Sequence, residues 1–213
     1  MTDPERLLAL NYVPKTLRSA VSAFWQLDET LGKIIAGTTE PMIGQMRLTW
    51  WFDRLTALDV GNVPAEPLLQ TLADRVLPHD VTGSEMAALV EGWEALLEPL
   101  PLSEAELSLF AEKRGGTLFA LSTRLMGGKT DPKTGGEVWA LVDFASRCSD
   151  PETAERAIAM ALTRSAVDSS AVDSSAPKPL RILTRLAKAK ARRSTADFHD
   201  PLNRFVFLRA VLG

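Results

Sequence analysis

The chain has 213 residues and a mass of 23.2 kDa, with 46% hydrophobic, 24% charged and 7% aromatic residues, the profile of a globular protein of about one domain. A formal charge of −3 gives no support for nucleic-acid binding, and one cysteine with two histidines excludes an internal disulfide, a Cys-rich metal site and a histidine cluster. No run approaches the length of a membrane span, and the acidic start over residues 1–6 lacks the apolar core of a signal peptide, so a cytoplasmic setting is expected.

Taken in chain order, the apolar residues recur at spacings of three and four, which predicts helix after helix. Asp3-Pro4 supplies an N-cap and a first-turn proline for a helix over 4–10. The next helix, over 14–36, carries the stripe Leu17, Val21, Phe24, Leu27 and Leu31. Helices over 42–58 and 65–76 follow, then one over 84–98 with Met86, Leu89, Val90, Trp93, Leu96 and Leu97 on one side. A capping box, Ser103 to Glu106, opens a long helix over 103–127 with Leu107, Phe110, Leu118, Leu121 and Leu125 facing inward. Helices over 135–148 and, behind Asp150-Pro151, over 151–163 complete the body. The pentapeptide Ala166-Val167-Asp168-Ser169-Ser170 is then copied once, as residues 171–175, and is read as a flexible loop over 165–177. Helices over 179–193 and 201–211 end the chain. Nothing alternates as a strand does, so the expectation is a single all-α domain over 1–213.

Charge is unevenly spread. Residues 1–177 hold 15 basic and 25 acidic side chains, whereas 178–193 hold seven basic ones and no acid. Within this basic C-terminal region, 178–213, the residues Arg181, Arg185, Lys188 and Arg192 trace one helix face opposite Leu180, Leu183, Leu186 and Ala187. That face is either a solvated surface or a contact for an anionic membrane surface or an acidic protein partner.

Most catalytic patterns are missing. Gly128-Lys129-Thr130 imitates the end of a phosphate loop, but Thr123 stands where its first glycine belongs. The distinctive stretch is Gly44-Gln45-Met46-Arg47-Leu48-Thr49-Trp50-Trp51-Phe52-Asp53. Adjacent tryptophans on a helix point about 100° apart, so one faces the bundle while the other packs sideways. Arg47, a turn earlier, lies beside an indole or turns into a cavity; by the residues alone this is core packing with a snorkelling arginine.

The stretch also resembles the Ile-Arg-Leu-x-Trp-Trp-Arg-Asp signature of the squalene/phytoene synthase family, with Arg47, Leu48, Trp50, Trp51 and Asp53 matching and Phe52 departing. Residues 7–18 are similar to the family's opening, Leu89-Val90-Glu91-Gly92 to its Ile-Asp-Gly element, and residues 110–118 to its Tyr-Ala-x-x-x-Ala-Gly segment. The resemblance implies an all-α bundle of the isoprenoid-synthase type, enclosing a cavity where Mg²⁺ held by aspartates neutralises a prenyl diphosphate. By the same resemblance Arg18, Arg47, Trp50, Trp51, Asp53 and Glu91 bind substrate, while Asp28 and Glu29 are the catalytic metal ligands.

The aspartate motifs are incomplete. Asp28 and Glu29 are adjacent rather than a turn apart, and the position four after Asp28 is Gly32. Asp143 has no Arg-Asp-x-x-x-Asp after it, and Asp150 and Glu152 sit where helix capping explains them. Each missing carboxylate removes a charged Mg²⁺ ligand. Two functions therefore follow from the resemblance. One is a Mg²⁺-dependent prenyl diphosphate transferase of isoprenoid or carotenoid biosynthesis. The alternative is a non-catalytic binding or assembly protein, as in the family members that assemble respiratory complex I. Either is expected to approach a membrane as a peripheral protein.

Overall fold

The computed structural model describes residues 3–167 and 176–199, and among them every regular element is helical. The helices are α1 (Pro4–Leu10), α2 (Arg18–Ala36), α3 (Pro41–Ala57), α4 (Pro67–Arg75), α5 (Gly83–Glu94), α6 (Glu104–Phe110), α7 (Thr117–Leu125), α8 (Lys133–Ala145), α9 (Pro151–Val167) and α10 (Lys178–His199). Helices α6 and α7 are one continuous run, joined by a π-helical segment over Ala111–Gly116.

Sequence-local signals set most of the boundaries. The Asp3 side chain accepts from the N–H groups of Glu5 and Arg6, with Pro4 in the first turn. Both halves of the Ser103–Glu106 capping box form, and Thr82 with Glu85 makes a second. The N–H of Thr153 donates to Asp150 at 2.8 Å, capping α9. Helix α2 begins at Arg18 rather than residue 14, because Pro14–Leu17 form a turn closed by the Leu17 N–H on the Pro14 carbonyl at 2.9 Å.

The inward stripes pack as their spacing requires. Val21, Phe24, Leu27 and Leu31 of α2 are buried, as are Leu107, Phe110, Leu118, Leu121 and Leu125 of the α6–α7 run. The Trp25 indole N–H donates to Ser122 Oγ at 2.8 Å, tying α2 to α7. Helix α8 lies against the π segment and α9, α3 packs on α5, and α10 packs on α8, α9 and α1. Thus α10 is a docked part of the bundle, with Leu180, Leu183, Ala187 and Ala191 buried.

At the C-terminal end one boundary departs from the sequence expectation. Helix α9 continues to Val167, so the first residues of the loop expected over 165–177 are helical. The rest of the copied repeat and the helix expected over 201–211 lie outside the described residues.

Candidate functional site

Five elements bring polar side chains to the centre of the bundle. Asp28, from the middle of α2, is fully buried. Arg6 reaches it from α1, Trp93 from α5, and Arg114 from the π segment, while Trp139 and Asp143 stand one turn apart on α8. The approach of these elements depends on glycine. A Cβ on Gly115 would collide with the Gly136 carbonyl, and a Cβ on Gly136 with the Gly115 carbonyl, so the π segment and α8 touch backbone to backbone. A Cβ on Gly92 would lie 2.7 Å from the Arg114 nitrogen, so α5 closes on the same segment. The extra residue per turn of a π segment re-aims its side chains, and here Arg114 points at α2.

Asp28 is saturated with donors. Arg114 donates to it twice, Nε to Oδ1 at 2.9 Å and Nη2 to Oδ2 at 3.1 Å. Nη2 of Arg6 donates to Oδ2 as well, and the Trp93 indole N–H to Oδ1 at 2.9 Å. Nη2 of Arg114 also donates to Asp143 Oδ2 at 2.7 Å, and Nη2 of Arg147 to Asp143 Oδ1 at 2.8 Å. Nη1 of Arg6 is satisfied by the Trp25 carbonyl at 3.0 Å. Both buried guanidiniums lie over aromatic faces: Arg6 is 4.8 Å from the Trp139 ring centre, and Arg114 is 4.3 Å from that of Trp93 and 4.7 Å from that of Trp139.

Burial alone would raise the Asp28 carboxyl, but the charges and hydrogen bonds of Arg114 and Arg6 outweigh it and hold the group far below the usual carboxylate range. Asp143 follows the same balance: burial pushes it up, and Arg114, Arg6 and Arg147 bring it below its ordinary value. Burial likewise opposes the charge on Arg114, which Asp28 and Asp143 nevertheless stabilise. All three groups are ionised at neutral pH.

Mg²⁺ does not fit this donor set. An ionised carboxylate offers about four lone-pair sites, and Asp28 already accepts four hydrogen bonds. Two buried guanidiniums beside it would repel a second cation. No three His, Cys, Asp or Glu side chains among the described residues are grouped to hold a metal ion.

The network forms the floor of a cavity of about 720 Å³. Its walls include Phe110, Phe144, Trp93, Trp139, Val142 and Leu96, and Glu29 lines it beside Asp28.

The substrate residues implied by the resemblance are placed elsewhere. Arg18, Arg47, Trp50, Trp51, Asp53 and Glu91 are not among the residues lining the cavity. Arg18 donates from Nη2 to the carbonyls of Asn11 and Val13, both at 3.2 Å, and so latches α1 to α2. Arg47 and Asp53 are exposed on α3. Trp51 is buried, whereas Trp50 faces outward, edge-on to Trp51 and beneath Arg54. Glu91 pairs with Lys113 at 2.7 Å near the surface. Arg185 and Arg192 are exposed on α10, with Arg181 and Lys188 half-buried beside them. Asp150 caps α9, and Glu152 pairs with Arg156 one turn on.

Sequence reasoning selected Asp28 and Asp143 but missed Arg6, Arg114, Trp93 and Trp139 as their partners. A signal did exist. Gly115-Gly116 and Gly135-Gly136 each interrupt a helical pattern, where glycine is costly unless another backbone must come close.

No individual curated protein and no solved structure matches the chain. The squalene/phytoene synthase family profile matches residues 2–168, more than half of the chain and the whole of the Arg–Asp–Trp network. The chain belongs to the squalene/phytoene synthase family.

Proposed function

We propose that this family member acts by binding rather than by Mg²⁺-dependent prenyl transfer, the second of the two functions the sequence leaves open. The observation that carries the reading is the saturation of Asp28 by Arg114, Arg6 and Trp93. In the transferase reading Asp28 and Glu29 hold Mg²⁺ against a diphosphate. A carboxylate already bound to two guanidiniums offers that ion neither a lone pair nor net negative charge. The assembly-factor alternative falls within this class, as does a protein that presents a cavity-bound lipid to a partner, and the basic face of α10 supplies a site for peripheral contact with an anionic membrane.

The direct test is incubation of high concentrations of the protein with farnesyl and geranylgeranyl diphosphates over a range of Mg²⁺ concentrations, followed by lipid extraction. No coupled product is expected at any Mg²⁺ concentration, and Mg²⁺ alone is expected to leave the melting temperature unchanged, because an ion that does not bind the native state cannot stabilise it. Mg²⁺-dependent formation of a coupled prenyl product overturns the reading.

A further inference from the structure

Helix α3 is held to the bundle by one narrow edge. Only Gly44, Leu48, Trp51 and Leu55 of its 17 residues are buried. A Cβ on Gly44 would lie 2.7 Å from the Leu97 side chain, so that edge is closely seated. The opposite side is apolar too. Met42 and Met46 are 77% and 69% exposed, and Ile43 and Trp50 are exposed beside them. At about 100° per residue these four fall in one stripe about 100° wide, turned away from the buried edge. Single apolar residues on a surface are ordinary, but a contiguous apolar stripe marks a contact surface. The most distinctive motif of the sequence, residues 44–53, lies on this helix, and none of it lines the cavity.

We propose that a second copy of this chain covers the stripe, α3 packing antiparallel on α3 about a two-fold axis beside Met46. The charges around the stripe carry the choice of occupant. Glu40 stands at its N-terminal end and Arg54 at its C-terminal end, about 40° apart around the helix and so on one margin. Glu40 directly precedes α3, yet its side chain caps nothing. Arg54 lies over the Trp50 ring, 5.8 Å from its centre, and among the described residues neither Arg54 nor Glu40 forms an ion pair. In a two-fold contact residue i meets j and j meets i, so an antiparallel pair centred beside Met46 brings each Glu40 to the Arg54 of the other copy, twice by symmetry. Asp53 lies about 140° round the helix from Glu40, on the other margin, so no acid is set against an acid. Arg47 is exposed beyond the stripe and keeps its guanidinium in water. An anionic bilayer would instead meet a carboxylate at each end of the stripe, Glu40 and Asp53, and a strongly acidic protein would meet the same two. The proposal is independent of what the cavity holds.

Sedimentation velocity of the full chain over a concentration series is the test. A helix pair of this length offers less than the roughly 800 Å² per partner of a standard interface, so a reversible dimer that grows with concentration is expected. Met46→Asp, at an exposed position beside the axis, sets two carboxylates against each other. It is expected to leave only monomer, with the helical circular dichroism of the unaltered chain. Glu40→Arg and Arg54→Glu alone are each expected to weaken the dimer at least about tenfold, and the two together to restore it to within about threefold, because the pair re-forms with its signs exchanged. A chain that stays monomeric up to its solubility limit, a dimer that Met46→Asp leaves intact, or a double variant no better than the single ones each overturns the proposal. So does a monomer that sediments with phosphatidylcholine vesicles and loses that binding with Met46→Asp, which assigns the stripe to a bilayer.

Discussion

Asp28 accepts four hydrogen bonds at a position out of reach of solvent, so its charge and those of Arg6 and Arg114 are mutually dependent. Removing one partner of a buried pair strands the other, at a cost of about 3–5 kcal/mol. Asp28→Asn is therefore expected to lower unfolding stability by about that amount in urea titrations. Replacing the set together, Asp28→Leu with Arg6→Met and Arg114→Met, should recover most of the loss, because buried ion pairs and well-packed apolar groups of similar volume are often equivalent in stability. A triple variant as unstable as the single one would show that packing, not stranded charge, sets the cost. The pH dependence follows from the same carboxyls. Asp28 and Asp143 both titrate below their ordinary value in the folded chain. A carboxyl with a depressed folded pKa contributes stability that is fully present above its unfolded pKa of about 3.9 and is lost as pH falls through the folded value. Stability of the unaltered chain is thus expected to fall steeply below pH about 4. The Asp28→Asn variant should show a shallower fall in the same window, measured by urea midpoints at successive pH values.

At the scale of elements, the π segment and its glycines decide where Arg114 goes. Gly115 and Gly116 are neighbours with opposite surroundings: a Cβ on Gly115 meets the Gly136 carbonyl, whereas one on Gly116 has the Lys133 side chain at an ordinary 3.6 Å. Gly115→Ala must push α8 away from the π segment, and overpacking of this kind costs about 1–3 kcal/mol. It should also loosen Asp143 from Arg114 and so flatten the acid dependence. Gly116→Ala meets no such obstruction and gains about 0.5–1 kcal/mol from lost unfolded-state freedom. Thermal denaturation of the two variants should move in opposite directions, and equal shifts would sink the close-approach account. The same region marks the limit of what the sequence reveals. The stripes of α2 and of the α6–α7 run, and the caps at Asp3, Ser103 and Asp150, are local signals, and the helices follow from them. Asp28 stood out, together with Glu29, through the family resemblance of the stretch that holds it. Its partners come from 22 and 86 residues away, and periodicity says nothing about which buried arginine will meet which aspartate. Periodicity does not reveal the π turn either, since residues 103–127 read as one long helix; the Gly115-Gly116 pair inside it marks a close approach but not a change of helix type.

Across the whole molecule, the charge asymmetry seen in the sequence becomes a surface. Helix α10 holds itself in the bundle through Leu180, Leu183, Thr184, Ala187 and Ala191, all buried, and so presents its basic side without leaving its place. Arg185, Lys190, Arg192 and Arg193 are exposed there, with Arg181 and Lys188 at the margin, and Lys190 also pairs with Glu5 of α1. No helix among the described residues is long and apolar enough to cross a membrane. Basic residues near an anionic bilayer contribute about 1 kcal/mol each, and four such residues give roughly 4 kcal/mol, with little ordering cost because the helix is already docked. That is enough for reversible binding and is screened over about 10 Å at 0.1 M salt. The chain is expected to sediment with vesicles rich in phosphatidylserine at low salt, to release as salt is raised, and to ignore vesicles of phosphatidylcholine alone. Reversal of Arg181, Arg185, Lys188 and Arg192 to glutamate should abolish sedimentation while the chain keeps the circular dichroism of a folded helical bundle. If the reversed chain still sediments, the contact lies elsewhere; the outward side of α3, where Met42, Ile43, Met46 and Trp50 are exposed, is the apolar surface that a salt-insensitive contact would use.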